Sequence, residues 1–260
     1  MTALGTPDSR ASALQNAVDR LLQARRQGLP VAAPALPDVD SAYAVQAEVA
    51  QALDWFDEEV PRHWKSGGAS RQAVLTHAPL PPAGVWHSPA KARDWPFVTR
   101  GIEAEIALRL GEPVDADRAE SLDLAGARGL IDSLCVSIEI VDSRWIEAND
   151  APPLAKLADL QSHGALVLGA WLPFADRDWS TQICRVRIGT EAVKVFCGTH
   201  SMADPVFVVL PWLRHATRNG ATVPAGTVVT TGTWCGLLTA RPSDAVEVAF
   251  DALGHAEVAF

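Results

Sequence analysis

The chain has 260 residues, 48% of them hydrophobic and 20% charged, with a formal net charge of −9. That apolar content excludes a disordered chain, and an acidic balance without any basic run excludes a nucleic-acid binder or a protein seated on an anionic membrane. The length reaches the size at which a single core stops growing, so one large domain, or a main domain with a smaller helical lobe, is expected.

From Met1 to Ala13 there is no 7–15-residue apolar core of a secretory signal. The longest apolar stretch, Gly164 to Phe174, is far below the roughly 20 residues that span a bilayer. Cys135, Cys184, Cys197 and Cys235 form no Cys-x-x-Cys pair, which argues against structural zinc and for a reducing, cytoplasmic compartment.

Residues 11–28 read as an amphipathic helix, with Leu14, Ala17, Val18, Leu21 and Leu22 on one stripe and Gly28 as its stop. After an extended connection at Pro30, Pro34 and Pro37, Asp40 or Ser41 can cap a second helix carrying Val45, Val49, Ala52, Leu53 and Phe56. Residues 61–100 hold Gly67-Gly68 and, among their prolines, Pro79, Pro81, Pro82, Pro89 and Pro96, and read as a loop-rich region of the kind that often carries function. Ile102 to Leu110 alternates as a strand should, and 118–134 reads as a helix through Leu122, Leu130, Ile131 and Leu134. Strand patterns follow at 135–142, 165–171, 184–189, 193–197, 227–231, 245–250 and 255–260. Asp204-Pro205 opens a helix running to about Gly220, which Pro211 should kink or shorten. Strands outnumber helices, so an α+β chain with a mixed, mainly antiparallel sheet fits better than a doubly wound one.

Three acids stand out in this pattern. Glu103 and Glu105 lie two apart in a strand and so share a face. Glutamates on a strand's polar face can simply meet water, but Glu139 lies between Ile138 and Ile140 in a strand that looks buried on both sides. A buried glutamate needs an ion pair, for which Arg100 or Arg144 is available, or a metal. Three converging carboxylates suit a hard dication.

The text around these acids resembles the 2-hydroxypentadienoate (2-oxopent-4-enoate) hydratase family, a branch of the fumarylacetoacetate hydrolases. The resemblance rests on Trp64-Lys65-Ser66-Gly67-Gly68-Ala69-Ser70, on Gly101-Ile102-Glu103-Ala104-Glu105-Ile106-Ala107-Leu108, on Ser137-Ile138-Glu139-Ile140-Val141-Asp142-Ser143-Arg144, and on Leu157-Ala158-Asp159 through Gly169. Asp204-Pro205, Ala225-Gly226 and Thr230-Thr231-Gly232-Thr233 continue it in order. It implies a helical N-terminal region with an active-site loop (residues 1–80) leading into a mixed β-roll catalytic domain (81–260), assembled as a homo-oligomer. It also implies a Mg²⁺ ion, with Mn²⁺ as an alternative, on Glu103, Glu105 and Glu139. Lys65 and Asp159 are then implied as catalytic groups, and Gly67, Ser70, Thr231 and Thr233 as substrate contacts.

The implied reaction is addition of water to a small 2-hydroxydienoic or 2-oxo-enoic acid, giving a 4-hydroxy-2-oxo acid in aromatic-compound catabolism. The chain departs from the family in two places. The family's aspartates after the Lys block are missing from Leu75 to Gly84, where His77 is the titratable residue, and the segment from Asp159 reads Asp-Leu-Gln-Ser-His, ending at His163. His77 and His163 are therefore the candidates for proton transfer, since histidine titrates near neutrality. Decarboxylation of a 4-oxalocrotonate-type acid, hydrolysis of a carbon–carbon bond, and a non-catalytic scaffold subunit stay open beside hydration.

Overall fold

The computed structural model describes residues 7–57 and 60–260, and the side chains from residue 9 onward. Residues 1–6, on which part of the leader reading falls, lie outside the described residues. Among those described, no helix is long and apolar enough to cross a membrane.

Helices α1 (Pro7–Gln27) and α2 (Val39–Ala52) open the chain, and four short strands cross the proline-rich stretch: β1 (His63–Gly67), β2 (Thr76–Pro79), β3 (Val85–His87) and β4 (Ala90–Lys91). The long strand β5 (Gly101–Leu110) is followed by α3 (Ala116–Ser121), α4 (Leu124–Gly129) and the second long strand β6 (Ile131–Val141). Then come α5 (Pro153–Ala158), β7 (His163–Leu168), β8 (Leu172–Pro173), β9 (Ile183–Ile188), β10 (Lys194–Cys197) and α6 (Val209–Thr217). Strands β11 (Val228–Thr230), β12 (Leu238–Thr239), β13 (Ala245–Phe250) and β14 (Gly254–Ala259) close the chain.

Three expectations are corrected locally. The single helix over 118–134 is two short helices, because the Asp115 and Asp123 side chains each accept from an amide of a new first turn, those of Arg118 and Gly126. Ile131 and Leu134 belong instead to β6, whose pairing with β5 outweighs a weak helical stripe. Asp38, rather than Asp40 or Ser41, caps α2, accepting from the Ser41 amide at 2.8 Å. Pro211 lies in the first turn of α6, where no amide donor is needed; the turn before it, Pro205–Val208, is 3₁₀ and capped by Asp204.

The chain folds as two compact units, residues 1–59 with 96–99 and 142–164, and residues 60–95 with 100–141 and 165–260. The first of the boundaries between these segments falls at 59–60. The reason is physical: β1 pairs in parallel with β11 over His63↔Val228 to Lys65↔Thr230, so the Lys65 segment is part of the sheet. The first unit is helical, with Ala17, Val18, Leu21, Ala42, Val45, Val49, Ala155 and Leu157 forming its core around the buried Trp145.

In the second unit a nine-stranded sheet runs β2-β1-β11-β5-β6-β7-β3, with β12 beside β5 and β8 beside β6, and a five-stranded sheet runs β10-β9-β13-β14-β4. Most neighbours are antiparallel; β1–β11, β3–β7 and β4–β14 are parallel. The five-stranded sheet lies against β6 through β13 and β14. This is the α+β, mixed and mainly antiparallel roll expected from the pattern.

Candidate active site

The antiparallel register of β5 and β6 sets Glu103 opposite Glu139 and Glu105 opposite Ser137. Directly opposed residues share a face of the sheet, so all four side chains project the same way. Thr230 of β11 lies opposite Ala107, and Lys65 of β1 is paired with Thr230, which brings both onto that face too. Ile102, Ala104 and Ile106 turn to the other face and are fully buried. The alternation read in the sequence therefore holds, but the supposed polar face of β5 is interior: Glu105 and Glu139 are 2% and 0% exposed, and Glu103 is partly exposed.

Among the described residues these three glutamates are the group of acids, histidines and cysteines able to close on one ion, each offering an oxygen within 4.8 Å of the others. Lys65 Nζ donates to Glu139 Oε1, an ion-pair partner beyond the two arginines offered by the sequence. Thr230 Oγ1 and the Gly232 amide, the latter at 3.0 Å, both donate to Glu105 Oε2, and this leaves Oε1 available to a ligand. Ser137 Oγ stands 3.3 Å from Thr230 Oγ1 and completes the support.

Burial, and then the Glu139 charge, push the Glu103 carboxyl up to about 8 and the Glu105 carboxyl up to about 7. The Thr230 hydroxyl, the Lys65 charge and the Gly232 amide pull Glu105 partly back. Burial would lower Lys65, but Glu139, Glu103 and Glu105 outweigh it and hold the ammonium above its ordinary value. Without a cation, then, the cluster keeps protons that free carboxylates would shed. An all-oxygen donor set with an excess of buried negative charge fits a hard dication, which would replace those protons.

Gly67 lies at the edge of this cluster: a Cβ placed there would come within 4.0 Å of the Gly232 Cα. The other expected site residues have other work. Ser70 Oγ accepts from the Gln72 amide at 3.3 Å in a local turn. Thr231, fully buried, donates to the Ile106 carbonyl at 2.7 Å, and Thr233 donates to the Gly236 carbonyl at 2.9 Å, so neither hydroxyl is turned to the carboxylates. His77 pairs opposite Ser66, on the sheet face away from Lys65, where its Nδ1 is 2.9 Å from Ser66 Oγ and its ring 4.8 Å from that of His215 on α6. Burial, followed by the Arg218 charge, lowers His77 to about 4, leaving it neutral.

Asp159 and His163 belong to the helical unit. The Asp159 carboxylate, fully buried, takes Arg144 Nε at 2.8 and 2.9 Å, the Arg144 amide at 3.0 Å and an Arg25 nitrogen at 2.9 Å. The His163 carbonyl accepts from the same Arg144 guanidinium at 2.7 Å. Asp142 receives the Val98 and Thr99 amides and lies 3.5 Å from Arg144. The Asp-Ser-Arg and Leu-Ala-Asp blocks thus build a buried ion network inside the helical unit. Asp159 is engaged there by two arginines.

Sequence reasoning missed Thr230 and Gly232. The available signal was that a buried glutamate demands donors. Choosing between Thr230 and Thr231 needed the register with β5, since adjacent strand residues face opposite ways.

The family model for the fumarylacetoacetate (FAA) hydrolase C-terminal domain matches residues 46–260. The chain belongs to the fumarylacetoacetate hydrolase family. Within this family it is 30% identical over 236 residues, 87% of each chain, to 2-keto-4-pentenoate hydratase 1 of Dechloromonas aromatica (strain RCB). It is 27% identical to the 2-keto-4-pentenoate hydratase of Paraburkholderia xenovorans (strain LB400), across 98% of this chain and 96% of that one. Among solved structures, the fold is shared with 4-oxalocrotonate decarboxylase from Pseudomonas putida G7 complexed with magnesium and adipate, at a TM-score of 0.81 and 18% identity over the whole of both chains.

Proposed function

We propose that this fumarylacetoacetate hydrolase family member is a divalent-metal-dependent hydratase that adds water to a 2-hydroxydienoate or 2-oxo-enoate and yields a 4-hydroxy-2-oxo acid. The observation that carries the reading is the buried Glu103–Glu105–Glu139 triangle tied to Lys65, in a chain whose full-length curated relatives are named hydratases. The three glutamates would hold Mg²⁺ or Mn²⁺, in keeping with the magnesium and calcium named for the decarboxylase structures of the same fold. Such an ion supplies Lewis-acid stabilisation of negative charge on a 2-oxo acid.

The chain's own residues do the rest. Three carboxylates outweigh a dication by one negative charge, and Lys65, held beside Glu139, balances it. Its ammonium also faces the position of an anionic substrate and opposes charge developing on the 2-oxygen. The Gly67 and Gly232 backbone lets a small acid approach, because neither residue adds a side chain there. Overall, the dienol ketonises with a proton moving from oxygen to carbon; water oxygen then bonds C4 and a proton goes to C3. Aromatic-ring catabolism, which yields such dienols, is the fitting context.

The test is direct: incubate the protein with Mg²⁺ and freshly generated 2-hydroxypenta-2,4-dienoate and follow the dienol absorbance. Loss above a metal-only blank, with 4-hydroxy-2-oxopentanoate as product, supports hydration; no loss refutes it. One observation favours a second reading, decarboxylation of a 4-oxalocrotonate-type acid. No acid stands between Leu75 and Gly84, and His77 is neutral on the far face of β1 and β2, so a reaction that needs an electron sink more than a base is suited. Carbon dioxide release from 4-oxalocrotonate separates the two.

A further inference from the structure

We infer that His200 is a positioning residue for the metal centre, acting through the peptide bond between Thr231 and Gly232 to fix Glu105. This rests on the reading of the three glutamates as that centre.

The geometry is a three-membered chain. His200 Nε2 lies 2.9 Å from the Thr231 carbonyl oxygen. That carbonyl belongs to the same peptide group as the Gly232 N–H, which donates to Glu105 Oε2 at 3.0 Å. In a trans peptide the C=O and N–H point in opposite directions, so the group is held from one side by the histidine and presents its other side to the glutamate.

The tautomer follows from the partners. A carbonyl can only accept, so Nε2 carries the proton; Nδ1 accepts from the Met202 amide at 3.3 Å. The ring is therefore a neutral, singly oriented donor. It is 4% exposed and packed, tilted, with its centroid 5.3 Å from that of Trp234, which itself packs against Phe250 and Trp179. The amide of Trp234 in turn donates to the Ala104 carbonyl at 2.8 Å, between the two glutamates of β5.

The peptide needs such a clamp because of Gly232. Its φ of +104° is a glycine conformation, and glycine leaves the preceding peptide free to rotate. A rotated peptide would turn its carbonyl toward Glu105 and replace an attraction with a repulsion. Holding the carbonyl also polarises the peptide and strengthens the bond its N–H makes. Outer groups of this kind orient the carboxylate that takes the ion.

The experiment titrates the full-length protein with Mn²⁺ by calorimetry, with electron paramagnetic resonance as a second readout, in the parent and in H200L, H200Q and E105Q. Leucine removes the donor and keeps the bulk; glutamine returns an N–H near the Nε2 position. H200L is expected to weaken Mn²⁺ binding roughly tenfold, and H200Q to stay within about threefold of the parent. A histidine that only supports the fold would lower the melting temperature of both variants alike and leave Mn²⁺ affinity unmoved. Unchanged affinity in H200L, with binding lost in E105Q, overturns the inference while the centre stands. No Mn²⁺ binding by the parent, or full binding by E105Q, removes the centre and the inference with it. Should H200L not fold, ¹⁵N spectra of the parent still decide: an Nε2-protonated His200 is required, and an Nδ1-protonated one refutes the clamp.

Discussion

At the scale of single residues, Lys65 and Asp159 show how alike two buried ion pairs can look in a sequence and how differently they serve. Lys65 is the counter-charge of Glu139, which is 0% exposed. Lys65→Met leaves that carboxylate buried beside Glu103, and the cost expected for the metal-free protein is about 3–5 kcal/mol. Because a dication would supply the missing positive charge, saturating Mn²⁺ should recover most of the loss, while turnover stays down by roughly 100-fold or more. Urea unfolding with and without Mn²⁺ checks this; an equal loss in both would detach Lys65 from the centre. Asp159→Asn instead leaves Arg25 and Arg144 converging on a neutral amide. A similar destabilisation, about 3–5 kcal/mol, is expected, with Mn²⁺ affinity of the folded protein unchanged; a weakened affinity in calorimetry would contradict the structural role. The glutamates were legible because carboxylates among Val and Ile demand an explanation. Lys65 was legible only through its resemblance block, and the arginine partners of Asp159 were not legible because nothing local reveals that Arg25, 134 residues away, reaches it.

At the scale of elements, β5 was readable from its alternation and β6 only from residue 135 onward, as an apolar run, whereas the shortest strands were not readable. The short strands β3, β4, β8 and β12 are two or three residues long, too brief to carry a period. The turn after β11 is the element where conformation and site meet. Gly232 has φ +104°, and a Cβ there would meet His200 Nε2 at 3.7 Å, so space permits alanine but the backbone resists it. Gly226 has φ +79° with nothing within 4 Å of such a Cβ. Alanine at either position should therefore cost about 1–3 kcal/mol from backbone strain. The two should part company in Mn²⁺ titrations: G232A displaces the amide held on Glu105 and weakens binding, while G226A binds as the parent does. Equal affinities in the two variants would mean that the turn does not tune the cluster.

For the whole molecule, acidity acts from two directions and the dication decides which dominates. His77, His200 and His215 are lowered mainly by burial, to about 4, 4 and 3. A histidine depressed below its unfolded value of 6.5 gives stability that is present above that value and lost as pH falls toward its folded one. Each can contribute a slope of up to about 1.4 kcal/mol per pH unit, so acid unfolding should begin below pH 6.5. Glu103 and Glu105 work in the opposite sense. Raised to about 8 and about 7 from an ordinary 4.5, they favour the folded state fully below pH 4.5, and that contribution disappears as pH climbs through 7 and 8. The metal-free protein is then squeezed on its alkaline side by its own unneutralised carboxylates. A dication binds the ionised form, so its stabilisation must grow over the range in which those protons are lost. The rise in melting temperature on adding saturating Mg²⁺ should accordingly be larger at pH 8.5 than at pH 6.0, and it should vanish at both in a Glu105→Gln, Glu139→Gln double variant. A shift of the same size at both pH values, or one that survives in the double variant, would mean that the ion binds elsewhere or that the three carboxylates carry no shared protons.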